Sequence, residues 1–348
     1  MAPSLFLTGA TGYIGGDFLF AVYDAHPDWQ YTALVRREEQ AAQLKARYPT
    51  VRTVLGDLDS SAILEEEAKN ADIVLHFADC DHEPSARALT KGLGMRKSDR
   101  PAFFIHTSGM GILTVEDLTA KTCGTRREKQ YDDWDGVSEL VTMPDSAFHR
   151  NVDKIVLEAA ERFSDSMKTA IVCPSAIYGL GRGTGNTEST QVYVLAKTVI
   201  TRGKGLQVGE GQNIWHSIHV HDLTNLYIAL VEAAAEGGGS ATWGTEGYYL
   251  VENGSFVWGD VERAVAQIAY EKGFIQHAGV DVLGWDATAQ EHSKGPYRWG
   301  SNSRGRALRA RKLLGWNPTQ LDLVEFLPSI VELQAEKVLP GSVGPFKI

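Results

Sequence analysis

Glycines at positions 9, 12 and 15 follow directly on the apolar run Leu5-Phe6-Leu7-Thr8 and precede an apolar-periodic segment that ends near Ala25. That order reads as strand, tight turn, helix. Gly9 and Gly12 let the backbone bend sharply and approach a pyrophosphate, and Gly15 lets the helix pack close to the strand. Phosphates placed there meet free N–H groups and the positive end of the helix dipole. After the next apolar run, at 31–35, the chain carries Arg36-Arg37 where an NAD site usually carries a carboxylate for the ribose 2′-hydroxyl. A guanidinium pairs with a 2′-phosphate in bidentate fashion, so the expected cofactor is NADP(H). Two solvated arginines at a helix start are the alternative. Asp57, after a third run at 51–55, either receives an adenine amino group or serves as a turn or cap residue.

These residues need a scaffold to hold them together. Strand patterns at 4–8, 31–35, 51–55, 72–77, 102–107 and 168–174 alternate with helical ones near 13–25, 38–47, 60–69, 84–94 and 146–164. Such alternation implies the α/β class and a Rossmann doubly wound parallel sheet. Residues 1–180 are expected to form the dinucleotide-binding domain. From about 180 onward the alternation fades and aromatics such as Trp215, Trp243, Trp258 and Trp299 become frequent. Residues 181–348 therefore read mainly as a smaller substrate lobe, with segments near 206–236 returning to the first domain. The charged stretch 111–145 reads as a long loop, either a functional lid or disordered.

Composition narrows the function classes. At 348 residues and 43% hydrophobic the chain suits one large α/β unit with an added lobe. No apolar run approaches 18 residues, so no membrane span is expected. The N-terminus lacks the charged region of a signal peptide. Cys80, Cys123 and Cys173 are far apart and odd in number, which argues against a disulfide framework and a structural zinc site. A reducing cytoplasm is the expected location. His219 and His221 lack a third ligand at a telling spacing, so no metal is expected, and Asp222 reads as the N-cap of a helix at 222–236. A net charge of −10 disfavours nucleic acid or an anionic membrane. The expected partner is a small-molecule substrate.

Taken together, Thr8-Gly9-Ala10-Thr11-Gly12-Tyr13-Ile14-Gly15, Gly56-Asp57-Leu58, His76-Phe77-Ala78, Thr107-Ser108, and the segments 174–179, 219–223 and 310–318 resemble the extended short-chain dehydrogenase/reductase superfamily. This group holds nucleotide-sugar epimerases, dehydratases and dihydroflavonol-type reductases. The resemblance implies cofactor contacts from Thr8, Gly9, Thr11, Gly12, Tyr13, Ile14 and Gly15. It adds Arg36, Arg37, Asp57, Leu58, Phe77 and Ala78, and further Lys154, Pro174 and Ile177. It also implies a homodimer formed through the helix that carries Lys154.

The superfamily's chemistry uses a Tyr-x-x-x-Lys pair on one helix and a hydroxyl at the end of the fifth strand. Residues four apart share a helix face, and the ammonium lowers the phenol from its usual ~10 so that it works near neutrality. Lys154 fits the lysine, but Arg150 stands four residues earlier. A guanidinium relays no proton. Gly109 falls where the hydroxyl most often stands, leaving Thr107 or Ser108 as substitutes. His149 is a candidate replacement acid, one residue and about 100° from the tyrosine position; the alternative is a helix-start residue bonded to backbone. Tyr131 and Tyr178 are other phenols, and Tyr178 is expected in the wall beside the nicotinamide. Arg150 would hold an anionic substrate group or stabilise an enolate. Asn186 and Gln191 read either as substrate contacts or as helix-start and surface residues. Three functions fit: an oxidoreductase or epimerase for a small carbonyl or alcohol, a non-redox isomerase or lyase built on Arg150, His149 and Lys154, or an NADP(H) sensor switched by residues 111–145.

Overall fold

The computed structural model describes residues 2–339. Strands and helices alternate through the first part of the chain: β1 (Ser4–Thr8), α1 (Tyr13–Ala25), β2 (Gln30–Val35), α2 (Glu38–Arg47), β3 (Arg52–Leu55), α3 (Ser61–Asn70), β4 (Ile73–His76), α4 (Glu83–Gly94) and β5 (Ala102–Thr107). β4 and β5 are buried along their whole length, as parallel strands covered on both faces must be. After β5 come α5 (Val115–Ala120), β6 (Tyr131–Asp132), α6 (Val137–Leu140), α7 (Arg150–Arg162) and β7 (Met167–Pro174). The rest comprises β8 (Ala176–Tyr178), α8 (Gln191–Arg202), β9 (Lys204–Val208), β10 (Ile214–His219), α9 (Val220–Ala235), β11 (Tyr248–Val251), β12 (Ser255–Val257), α10 (Trp258–Glu271), β13 (His277–Leu283), α11 (Trp285–Glu291), α12 (Gly295–Gly300), β14 (Gly305–Arg306), α13 (Arg309–Leu314) and α14 (Leu323–Val338).

Seven strands form one parallel sheet in the order β11-β7-β5-β4-β1-β2-β3. The order reverses between β1 and β4, and the crevice beyond the carboxyl ends of such strands is where open α/β sheets bind ligands. α9 packs on α1, and β11 extends the sheet from the second half of the chain. α8, α10 and α14 enclose a separate apolar cluster containing Trp258 and Trp299. Among the described residues no helix is long and apolar enough to cross a membrane.

Two local expectations are corrected. Residues 111–145 are not a disordered loop: they carry α5, β6 and α6. β6 pairs in parallel with β14, Asp117 Oδ2 accepts from the Asn302 backbone at 2.7 Å, and Asp133 accepts from the backbone N–H groups of Leu250, Leu308 and Arg309. Buried carboxylates thus tie the segment to the far end of the chain. The N-cap of α9 is His219, whose Nδ1 accepts from the His221 backbone at 3.2 Å. Asp222 instead lies in the first turn and accepts from the backbones of Thr319 and Gln320.

Candidate functional site

The turn between β1 and α1 is built on close backbone contact. Gly9 has φ +75°, and a Cβ on it would stand 2.8 Å from the Ala78 amide; a Cβ on Gly15 would stand 2.5 Å from the Gly9 carbonyl oxygen. Side chains are excluded where β1, α1 and the end of β4 converge. Beside them opens a cleft of about 540 Å³, within the ~300–1,000 Å³ common for ligand sites. Gly9, Thr11, Gly12, Arg36, Arg37, Asp57, Leu58, Phe77 and Ala78 line it, joined by Gln40 and Asn186. Gln40 binds the two ends of the cleft together: its Oε1 accepts from the Arg36 amide at 3.1 Å, and its Nε2 donates to Thr11 Oγ1 at 3.1 Å. Arg36 and Arg37 remain exposed. Asp57 both lines the cleft and makes a turn, accepting from Ser60 Oγ at 2.7 Å and from the Asp59 amide; the Ser60 bond holds its carboxyl below the usual range. The donors, glycines and cations of this cleft fit a dinucleotide.

A second cluster forms where the chain leaves β4 and β5. His149 is the N-cap of α7 and adopts a left-handed φ of +66°, a conformation that L residues occupy at a cost. Its Nδ1 lies 2.8 Å from Asp81 Oδ1 and 3.3 Å from Cys80 Sγ. Its Nε2 would stand 3.2 Å from a Cβ on Gly109 and 3.0 Å from one on Gly111. The glycines after β5 therefore make room for the imidazole. Burial opposes the imidazolium, yet the hydrogen bond to Asp81 and the contact with Cys80 outweigh it and push His149 up to about 10. The Tyr297 phenol closes the same space, 2.1 Å from a Cβ on Gly111.

Beneath this cluster lies a buried polar network. Ser108 Oγ and the Tyr248 hydroxyl donate to Asp153 Oδ2 at 3.1 and 2.7 Å, and His106 Nε2 lies 3.7 Å from Oδ1. Burial pushes Asp153 up to about 6. Thr107 Oγ1 is paired with the Tyr227 hydroxyl at 2.7 Å. Arg150 is buried, and its Nε and Nη1 have no hydrogen-bond partner among the described residues. Lys154 turns to Asp145, with Nζ 3.0 Å from both carboxylate oxygens.

Comparison with known proteins places the chain. Residues 9–125 match a family model described as NAD(P)H-binding. A protein of Acremonium sp named oxidase ucsJ is 38% identical over 97% of this chain and 99% of its own length. The chain belongs to the extended short-chain dehydrogenase/reductase superfamily. Solved structures share the fold: PbgP3 of Burkholderia pseudomallei has a TM-score of 0.67 at 13% identity, covering 97% of each chain. A dTDP-glucose 4,6-dehydratase of Bacillus anthracis, solved with NAD, has a TM-score of 0.64 at 13% identity, covering 98% of each.

Within this superfamily frame, several residues named from sequence lie away from the cleft lining. Thr8 is buried in the strand, Ile14 packs into the core, and the Tyr13 hydroxyl donates to the Gly179 carbonyl at 2.6 Å. Gly15 serves helix packing. Pro174 ends β7 and Ile177 packs on the core; neither lines the cleft. The Tyr178 hydroxyl is bound to the Leu321 carbonyl, and Tyr131 lies in the β6–β14 pair. Gln191 donates to the Arg298 carbonyl at 3.5 Å. Sequence reasoning missed Cys80, Asp81, Asp153 and Tyr297. Only the position of Cys80 and Asp81, just past His76-Phe77-Ala78, pointed to them.

Proposed function

We propose that this superfamily member is an NADP(H)-dependent oxidoreductase for a small organic carbonyl or alcohol, with His149 carrying the proton that the superfamily's tyrosine usually carries. One observation carries the reading: the imidazole, fixed by Asp81, fills the space opened by Gly109 and Gly111 at the end of β5. The dinucleotide, when bound, supplies a hydride carrier. Arg36 and Arg37 offer fixed cations to a 2′-phosphate, and no carboxylate occupies the end of β2 to repel one. The N-terminus of α1 receives the pyrophosphate. A carbonyl oxygen brought to His149 takes a proton from the imidazolium, which becomes neutral while Asp81 holds the ring in orientation. Arg150 adds an immovable positive charge one residue on. The relative named an oxidase is in keeping with redox chemistry.

The test is calorimetric titration of NADPH, NADP⁺, NADH and NAD⁺, combined with nicotinamide absorbance over a carbonyl and alcohol panel. Preferred NADPH binding with substrate-dependent turnover, lost in His149→Asn while binding persists, is the expected result. Turnover that survives in His149→Asn would end the proton assignment. Equal affinity for NADH would end the NADP(H) assignment.

A further inference from the structure

One side chain joins the two parts of the cofactor cleft that would meet different phosphates. Gln40, the third residue of α2, is buried and lines the cleft. Its Oε1 accepts from the Arg36 N–H and its Nε2 donates to Thr11 Oγ1, each at 3.1 Å. Its own backbone N–H donates to the Arg37 carbonyl at 3.1 Å. Chemistry fixes the sense of the side-chain amide. A backbone N–H only donates, so the atom facing Arg36 is the oxygen and the atom facing Thr11 is the nitrogen. Thr11 Oγ1 therefore accepts, and its one O–H is left to donate elsewhere. Among the described residues Gln40 is the one partner of that hydroxyl. Thr11 is held from the opposite wall as well. Its carbonyl accepts from the Asn186 N–H at 3.0 Å, and a Cβ on Gly185 would strike the same oxygen.

We propose that Gln40 is the positioning residue that gives this cleft its preference for a 2′-phosphorylated dinucleotide, a proposal that rests on the NADP(H) reading above. It acts through two other residues. With its N–H pinned, the Arg36 backbone holds one direction, and the exposed guanidinium is rooted at the mouth of the cleft where the 2′-phosphate arrives. With its oxygen pinned, Thr11 keeps its O–H for a pyrophosphate oxygen at the glycine turn. A long cationic side chain loses rotamer freedom when it takes up a ligand. A fixed root reduces that loss, and preorganisation of this kind raises affinity without adding a contact.

A neutral amide suits both partners as charged side chains do not. Glu would accept from the Arg36 N–H but could not donate to Thr11, and its charge would repel a 2′-phosphate. Lys would donate to Thr11 but offer Arg36 no acceptor. Neutrality matters here because Glu38 and Glu39 already stand in the first turn of α2. Leu44, four residues on and so on the same helix face, is fully buried in the core. The amide thus projects from a seated face rather than from a loose turn.

The experiment is calorimetric titration of the full-length protein and its variants with four ligands, with melting temperature as the check on folding. NADPH and NADH are the whole cofactors; adenosine 2′,5′-bisphosphate carries the 2′-phosphate without the pyrophosphate, and ADP the reverse. Gln40→Leu should lower the ratio of NADPH to NADH affinity about fivefold, as the loss of one hydrogen bond does. In an Arg36→Ala background the same change should leave that ratio where Arg36→Ala put it. NADH and ADP should weaken in Gln40→Leu no more than they do in Thr11→Val. Gln40→Glu, close to isosteric, covers the case of a folding defect: it keeps the acceptor for Arg36 and adds the charge, so the ratio should fall further. A ratio unchanged in both Gln40 variants, each melting near the wild type, overturns the proposal. So does a further fall in the Arg36→Ala background, which would show that Gln40 does not act through Arg36. An equal loss for all four ligands belongs to a merely structural residue and overturns it too. A wild type that binds NADPH and NADH equally ends the cofactor reading and this proposal with it, whereas a wild-type preference that survives both variants ends this proposal alone.

Discussion

The ammonium of Lys154 lies 3.0 Å from both carboxylate oxygens of Asp145. In the superfamily this lysine sharpens a phenol four residues earlier, but here that position is Arg150, and no phenol stands there to be activated. The lysine is accordingly spent on a half-exposed ion pair. Lys154→Met should lower turnover less than about tenfold and stability by no more than ~1 kcal/mol, as exposed pairs do. Arg150→Tyr should fail to create an efficient reductase, since its partner groups are Gly109 and a lysine already engaged. Steady-state kinetics of the two variants check both statements, and brisk turnover in Arg150→Tyr would contradict the second.

Arg36 lines the cleft at the end of β2, where a 2′-phosphate would sit. Removing a charge-assisted hydrogen bond costs roughly 1.5–3 kcal/mol. Arg36→Ala should therefore weaken NADPH binding about 10- to 100-fold and leave NADH binding nearly unchanged. Parallel calorimetric titrations decide it, and equal losses for the two cofactors would show that the arginine is not reading the phosphate.

His149 keeps its proton up to about 10, against an ordinary value of ~6.5. Burial opposes the cation; the Asp81 and Cys80 contacts outweigh it. The folded protein thus binds this proton more tightly than the unfolded chain does. The resulting stabilisation is complete below pH ~6.5 and is lost as pH rises through about 10. Asp81, held below the usual carboxylate range by the His149 hydrogen bond, keeps its charge well into acid. The melting-temperature gap between wild type and His149→Asn should be level from about pH 5 to 6.5 and close by about pH 10.5. A gap independent of pH would show that the imidazole is uncharged.

Asp153 behaves in the opposite sense. Its carboxyl is pushed up to about 6 by complete burial, so the native state pays for the charged form at neutral pH. That cost, on the order of 2–3 kcal/mol, is fully present above pH ~6 and disappears as pH falls below ~4. Asp153→Asn should raise stability to urea at pH 7.5 and give no gain at pH 4. The same variant should lose turnover, because the acceptor of the Ser108 and Tyr248 hydroxyls would change beneath the site. A destabilised variant at pH 7.5 would mean that the carboxylate's hydrogen bonds outweigh its burial.

The cofactor end of the molecule is legible in sequence because its determinants are local. Gly9, Gly12 and Gly15 lie within one strand–turn–helix unit, and Arg36 and Arg37 follow the next strand directly. The His149 cluster is not local. His149 meets Asp81 across 68 residues and Cys80 across 69, and no periodicity links such positions. His149 could be named as a candidate from its place beside Arg150, but its partner could not. The network under it was equally hidden: Asp153 reads as an ordinary polar helix residue until Ser108 and Tyr248 are brought to it. Residues 111–145 looked loose for the same reason, since Asp133 finds the Leu250 amide 117 residues on and Asp117 finds Asn302 185 residues on.

The clasp of β6 on β14 also bears on how the protein is made. A chain emerging from the ribosome would expose Asp117, Asp133 and the strand edge of β7 long before residues 250 and 302–309 are synthesised. Vectorial folding can therefore set the glycine turn early but cannot finish the sheet before β11 at Tyr248–Val251 has emerged, or seat the segment ahead of His149 before residues 302–309 have. Truncations that spare every residue of the cleft but end before Asn302 should yield a nascent chain that chaperones retain, rather than a smaller working enzyme.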